Sequence, residues 1–531
     1  MSEDSSINTI GIIGGGTAGY LTALTLSKLM PDKKINIIES SKIPVIGVGE
    51  STTPKLLRML HDVLKFDVAE FYAEVKPTWK LGVRYFWGKE DQGFSNNALG
   101  NLNPFLSLDV KDDINYNSLN SVLMNYDKSF IIETGNKEKP YRSLALPHSY
   151  AYHLDNELLV KYLRKKIKEV GISIIDAKVK QTTTKTNGGL KSLICDEGVE
   201  LEFDFYVDCS GFSSILLEKT MKVPFQDYKS SLYTDSAITG HAAHNGTIKP
   251  YTEARTMNNG WQWNIPMHTT DHLGYVYSST FCSDDQAEQE FRTLNPSLKE
   301  TKVLRFRSGR HTDFVKGNVA AIGNAYGFIE ALQSTALHMV ITNIYALVLH
   351  LKNLDKGNNL GEKINQNLGE IWDRLRWFIA LQFKFNDRYD TPFWKACRAG
   401  IDISGAEEIL KLYKSQGPLY TLKSKNESIN KIDKFQIYGL FSHDFMLLVL
   451  GKNPNKPPFS VTEEERLHWL KRYQLWDQLA KNAIPQHKIL NLVSENPTIL
   501  DFKNFFDSPF ILDSEFDLFD EANITDFINK C

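Results

Sequence analysis

The chain has 531 residues, 42% of them hydrophobic and 24% charged, with a net charge of −3. That length supports two or three domains around a large core, and its interspersed, nearly balanced charge leaves no basic footprint for nucleic acid. Five scattered cysteines, Cys195, Cys209, Cys282, Cys397 and Cys531, have no CxxC spacing, which argues against a disulfide framework or a metal site and for a reducing cytoplasm.

In chain order, the polar N-terminus MSEDSSINT lacks the basic and apolar regions of a signal peptide. No apolar run approaches the ~18 residues of a membrane span, so a soluble cytoplasmic protein is expected, without membrane contact. The first element is an apolar strand (Ile10, Ile12, Ile13) that runs into Gly14-Gly15-Gly16-Thr17-Ala18-Gly19. A helical pattern, Tyr20 to Leu29, follows, and then a second strand, Ile35 to Ile38. It ends on Glu39, about 20 residues past the last glycine, where a dinucleotide fold puts its ribose acid. Gly14 permits the tight turn, Gly16 lets the backbone approach a pyrophosphate, and Gly19 allows close helix–strand packing. The helix start at Thr17 and Ala18 offers N–H groups and a positive dipole end to phosphates. The alternative is a glycine turn in an ordinary strand-to-helix unit; strand, helix and acid standing together favour the dinucleotide. Glu39 would repel a 2′-phosphate, so FAD or NAD is favoured over NADP.

Ile46 to Pro54 (IGVGESTTP) reads as a loop entering a helix over Lys55 to Leu64, a capped helix start and a ligand loop being equally open. Pro77 to Gly88 reads as one strand with Lys80 at its start; taken by itself, Lys80 is a surface lysine lying over aromatics. Gly88 to Lys139 looks loop-rich. Leu158 to Val170 is an amphipathic helix stopped by Gly171, and Ile172 to Ile175 is a strand. Leu201 to Tyr206 is a strand running into Asp208-Cys209-Ser210-Gly211, either a ligand turn at a strand's C-terminal end or an ordinary turn. Within the strand-rich Ser230 to Ser279, Trp261 and Trp263 alternate onto one face, which a plain core pair also explains. Asn318 to Ala325 is a strand ending in a turn at Gly323. Ser334 and Thr335 then read as caps of a long helix, Leu337 to Leu351. From Leu354 onward the pattern is mostly helical, closing on an acidic, Phe-rich tail, Asp501 to Asp526.

Several of these segments, in order, resemble the flavin-dependent halogenases of the tryptophan-halogenase type. They are GIIGGGTAGY, GVGESTTP, TWKLGVRYFWG, AYHLDNELL, VDCSGF, WQWNIP, EALQST and NDRYDTPFW. WQWNIP is the most specific, because it separates these halogenases from flavin hydroxylases of the same fold. The resemblance implies an α/β fold: an FAD-binding, Rossmann-like module of the flavin-monooxygenase type, with a second, substrate-side sheet and a helical C-terminal region. The FAD module would span residues 1–353, with sheet insertions at about 83–150 and 215–310, and residues 354–531 would complete the substrate pocket.

The resemblance also implies the chemistry. Reduced FAD from a separate flavin reductase, dioxygen and halide give hypohalous acid, which travels to a lysine beside a small, electron-rich aromatic substrate (indole-, pyrrole- or phenol-like). Lys80 matches that lysine, which overturns its surface reading. Trp261 and Trp263 match tryptophans on the flavin side. Ser334, Thr335 and Ala336 match the halide loop. Gly49, Glu50, Ser51, Asp208, Gly323, Leu332 and Leu337 join the glycine turn as cofactor-side positions.

Two departures stand out. Gln333 occupies the position of the usual catalytic glutamate, and an amide is no base; Glu330 matches a second acid of the family. Ala336 replaces a usual glycine. With no counterpart of the segment that grips free tryptophan, a different substrate is expected, with bromide or iodide favoured over chloride. An aromatic hydroxylase and a non-catalytic FAD-binding protein are the alternatives, and self-association is left open.

Overall fold

The computed structural model describes residues 7–43, 49–100, 105, 111–135, 137–138, 140–144, 149–244, 246–420, 429, 433, 435–455 and 462–496. The expectations for Ile46 to Val48 and for the acidic tail lie outside the described residues.

The apolar run Thr9–Ile13 lies near the middle of a six-stranded sheet. Its neighbours are Lys34–Glu39 and Phe205–Asp208, both parallel to it. Ser173–Asp176 extends one side, and Val319–Ala321 and Val315–Lys316 the other; the last of these is antiparallel. A parallel strand covered on both faces must be apolar throughout, which is why Ile10, Ile12 and Ile13 are all buried. The helices Thr17–Leu29, Asn156–Glu169 and Ala336–Leu354 pack together beside this sheet. Asp155 starts the second of them by accepting from the N–H groups of Glu157 and Leu158, and Lys166 and Lys168 favour its C-terminal end.

A seven-stranded sheet runs Leu298–Arg305, Ser236–Ala243, Thr270–Tyr277, Gly260–Pro266, Thr252–Met257, Gly82–Phe86 and Ser95–Ala98. It is antiparallel except where Thr252–Met257 lies parallel to Gly82–Phe86. A separate three-stranded sheet is formed by Gly49–Ser51, Ala151–Asp155 and Thr78–Lys80. The architecture is therefore the expected α/β flavin-type module with a second sheet and a C-terminal region rich in helix, from Gly361–Lys384 to Gln486–Glu495.

Four local expectations change. The strand expected over Pro77 to Gly88 is two strands in different sheets. Leu81, at the break, donates its N–H to Pro250 O and accepts from Leu99 N. Leu201 to Tyr206 is likewise divided into Glu200–Glu202 and Phe205–Asp208. Asp204 interrupts it, its carboxylate accepting from the N–H groups of Asn8 and Thr9. The loop-rich stretch holds the strand Ser95–Ala98, the helix Leu119–Asn125 and the strand Lys128–Glu133. That last strand pairs with Ala483–Pro485, which puts a strand in the helical C-terminal part. Such pairings are long-range, and local composition does not encode them.

Candidate active site

The glycine turn has the three properties its sequence asks for. Gly14 has φ 122°, and a side chain there would strike Cys209 O at 2.3 Å. A side chain on Gly19 would meet Gly14 O at 1.9 Å, so helix and strand can close only on glycine. Gly16 differs: a Cβ there meets nothing within 4 Å. It caps the Thr17–Leu29 helix in extended conformation, leaving open space in front of unpaired helix N–H groups. The donor set and the space fit a dinucleotide pyrophosphate. Gly323, at φ 66°, lies where an added Cβ would meet the Ala18 methyl at 3.4 Å. Thr17 turns its hydroxyl to Asn156 Oδ1 at 2.8 Å.

Two cofactor-side carboxylates are committed within the protein. Glu39 accepts from Tyr20 Oη at 2.6 Å and from Arg164 at 2.8 Å. Asp208 is fully buried and accepts from Ser210 N, Ser210 Oγ, Leu216 N and Leu217 N at 2.6–3.0 Å. Four donors satisfy this carboxylate, so Asp208 shapes the turn beside Gly14. Glu50 lies on the Gly49–Ser51 strand, and desolvation pushes its carboxyl up to about 7. Gly49 packs so closely on His272 that a Cβ would sit 2.8 Å from it.

Lys80 is 2% exposed, against the expectation for an isolated lysine. Its Nζ donates to Thr52 O at 2.8 Å and to Ser334 Oγ at 2.9 Å. Burial pulls its pKa down to about 7. Strand, loop and helix start thus converge on one amine that is charged or neutral with comparable ease at neutral pH.

Ser334 and Thr335 do not cap the next helix. The helix runs Ala336–Leu354, and Thr335 at its start has helical angles and makes no side-chain capping bond. Ser334 instead takes the left-handed conformation, φ 58°, which turns its hydroxyl to Lys80 and Ser51. Its own N–H donates to Ala331 O, so of the three expected halide-loop donors this one is spent. The N–H groups at the helix start have no intrahelical partner. Leu332 and Leu337 flank the turn and are buried.

Gln333 Nε2 donates to Gln382 Oε1 at 2.7 Å, and Tyr438 Oη donates to the Gln333 carbonyl at 2.7 Å. Gln382, fully buried on the Gly361–Lys384 helix, is also bound to Phe378 O. Neither Gln382 nor Tyr438 carries a local sequence signal. Trp261 donates its indole N–H to Glu330 Oε2 at 2.8 Å. Trp263 lies 6.0 Å from it, ring centre to ring centre, against Gly274, where a Cβ would strike the indole. Glu330 is buried, its Oε1 has no hydrogen-bond partner among the described residues, and desolvation pushes its carboxyl up to about 7. The acid beside the tryptophan pair is therefore Glu330, while position 333 carries an amide. A cleft of about 640 Å³ lined by Lys89, Glu90, Asp91, Asp387 and Arg388 is open and charged, unlike the enclosed apolar wall that an aromatic ring needs.

Comparison with known proteins bears on the family of the chain. The tryptophan halogenase family model matches residues 9–438. RebH, a tryptophan 7-halogenase of Lentzea aerocolonigenes, is 30% identical over 474 residues, covering 83% of this chain and 86% of its own. The crystal structure of MibH, a lanthipeptide tryptophan 5-halogenase, superposes with a TM-score of 0.86 at 38% identity, covering 94% of this chain and 96% of the other. BrvH, a flavin-dependent halogenase from Brevundimonas sp. BAL3, superposes with a TM-score of 0.79 at 25% identity, covering 92% and 100%.

Proposed function

The chain belongs to the tryptophan halogenase family, and on that footing we propose that it halogenates the indole of a peptide-borne tryptophan through Lys80, with bromide or iodide preferred to chloride. It is a flavin-dependent halogenase, an oxidoreductase that uses reduced FAD and dioxygen. The finer reading is supported foremost by one observation. The Lys80 amine is buried and held by two acceptors, Thr52 O and Ser334 Oγ, with its pKa brought down to about 7.

Bound reduced FAD supplies the oxidation of halide by dioxygen that yields hypohalous acid. The glycine turn holds its pyrophosphate at Gly16 and the N–H groups after it, and Gly14, Gly19 and Gly323 keep that turn closed. The first N–H groups of the Ala336–Leu354 helix offer a halide site, since a helix start favours an anion. Lys80 then receives the hypohalous acid. A tetrahedral nitrogen with two positions bound to protein has its remaining valence for the oxidant. That valence is an N–H donor when the lysine is charged and a lone pair when it is neutral. Ring substitution releases a proton, and Gln333 cannot take it.

The likeness to MibH favours a peptide over the free amino acid. The amide at 333 supports the halide order, because a site without the carboxylate depends on an easily oxidised halide and an electron-rich ring. The test is a panel of tryptophan-containing peptides, free tryptophan, pyrrole and phenol with chloride, bromide and iodide, the flavin being reduced by an unrelated reductase. Peptide bromination above free-tryptophan chlorination is expected. Equal turnover of free tryptophan with chloride would overturn both the substrate and the halide reading.

A further inference from the structure

Thr252 and His153 have no part in the chemistry above, yet both are buried and lie on the same run of hydrogen bonds as Lys80. Lys80 Nζ is 2.9 Å from Ser334 Oγ. Ser334 Oγ is 3.0 Å from Ser51 Oγ, Ser51 Oγ 2.6 Å from Thr252 Oγ1, and Thr252 Oγ1 2.9 Å from His153 Nε2. On the far side of the imidazole, Nδ1 is 3.2 Å from Thr78 Oγ1, which bonds Pro266 O at 2.6 Å.

Counting protons fixes the direction of the whole chain. A carbonyl only accepts, so Thr78 spends its single hydroxyl proton on Pro266 O. Toward His153 it can then only accept, so Nδ1 carries the ring proton. Burial and the nearby Lys80 hold His153 far below the usual imidazole pKa, so the ring is neutral and Nε2 is a bare acceptor. Thr252 must therefore donate to Nε2, Ser51 to Thr252, and Ser334 to Ser51. Ser334, its proton spent, can only accept from Lys80. The Ser334-to-Ser51 direction also follows independently from the local geometry of that pair.

We propose that Thr252 and His153 are positioning residues for Lys80: by polarising the three-hydroxyl chain they make Ser334 an acceptor, so the lysine's free valence faces the oxidant. Without the imidazole terminus the hydroxyls can turn round. Ser334 would then donate its proton to the lone pair of the neutral amine and occupy the electron pair that hypohalous acid needs. The inference rests on the reading of Lys80 as the group that receives hypohalous acid.

The test compares Thr252→Val, which keeps the shape and removes the hydroxyl, with Thr252→Ser, which keeps the hydroxyl. His153→Phe serves as a second break in the chain. In the flavin-free protein, NMR of 13C-ε-labelled lysine follows the titration of Lys80. The other titratable groups on the elements packed around Lys80, namely Glu50, Lys55, His153, Asp155 and His338, are the same in wild type and in both Thr252 variants. Loss of the chain stabilises the neutral amine, so the Lys80 midpoint should fall by about half a pH unit or more in Thr252→Val and return in Thr252→Ser. In turnover, Thr252→Val and His153→Phe should lose about tenfold in directed halogenation, with more hypohalous acid escaping to monochlorodimedone and flavin affinity unchanged. The inference is overturned if the Lys80 titration is the same in all variants, or if Thr252→Ser is as impaired as Thr252→Val. If Lys80→Ala itself halogenates normally, the delivery reading fails, while the titration still reports on the chain.

Discussion

The glycine turn and the lysine site hold their expected ligands by opposite means. At Gly14 to Gly19 the protein offers backbone: closeness enforced at 14 and 19, and open space at 16. Around Lys80 it offers side chains gathered from residues 51, 78, 153, 252 and 334 on separate elements. The first region lies within eleven residues of sequence, Thr9 to Gly19, so its geometry and its motif are one thing. The second exists only once two large sheets and a small one are assembled. Disturbing the first should remove a cofactor, and disturbing the second should leave the cofactor working and misdirect its product.

The sharpest test of that contrast is Lys80→Ala. Directed halogenation should fall by ~10³-fold or more, as when a preorganised donor is lost, while oxidation of reduced flavin continues. Chromatography of the product beside a flavin-oxidation trace decides it, and retained regioselective turnover would break the comparison. Gly16→Val should do the reverse. Its side chain enters the space kept for the pyrophosphate, so FAD affinity should drop by ~10²-fold or more, an estimate from the cost of overpacking a closed site. Equilibrium dialysis measures it, and the thermal unfolding of the flavin-free chain should be unchanged because, among the described residues, nothing lies within 4 Å of a Cβ at position 16.

The sequence makes the first region legible down to individual glycines, and it shows the first strands of the parallel sheet, the Trp261–Trp263 pair and the long helix after Thr335. It does not make Lys80 legible without a resemblance. A lysine reads as exposed, and this one is buried by partners 28 and 254 positions away. The hydroxyls at 334 and 335 read as caps because Ser and Thr favour that place, whereas the left-handed turn at Ser334 is imposed by the converging loops. Asp208 reads as a ligand because it ends a strand, and only the structure shows its four internal donors. His153 stands in a recognisable run, AYHLD, but Thr252 has no local signal at all.

A third prediction sharpens the contrast through pH. The Glu330 carboxyl is raised from 4.5 to about 7 by desolvation. Between those values the folded state keeps a proton that the unfolded state has lost, so stability falls as pH rises from 4.5 to about 7. Lys80 does the opposite on the alkaline side. Its pKa is lowered from 10.5 to about 7, so across that window the unfolded state binds the extra proton and stability rises with pH. Glu330→Gln should remove the acid limb and keep an acceptor for Trp261. Relative to wild type it should gain on the order of 1–3 kcal/mol at pH 8 over its value at pH 4. Urea unfolding at the two pH values measures this, and parallel stability curves would show that Glu330 is already ionised in the folded protein.

The smallest effect is expected at Gln333. General-base help is typically worth ~10²–10⁴ in rate, which would make Gln333→Glu a large gain if the carboxylate could reach the ring proton. The structure argues for much less. Gln333 Nε2 points at Gln382 Oε1, so a glutamate in the same rotamer puts a carboxylate oxygen against a carbonyl oxygen. Gln382 relieves that clash by turning its amide over, which gives up its own bond to Phe378 O. Once turned, it donates to the new carboxylate and holds it in the old place of the amide, with a lowered basicity. The single variant should therefore gain only about threefold on weakly activated rings, since a fixed, hydrogen-bonded carboxylate is a poor base. Replacing Gln382 by Leu in the same chain frees that carboxylate, and the double variant should gain about tenfold more than the sum of the two changes predicts. The gain should appear mainly with chloride, where the wild type is expected to be weakest. Additive behaviour of the pair would mean that the carboxylate never depended on Gln382, and that Glu330 or water already removes the proton.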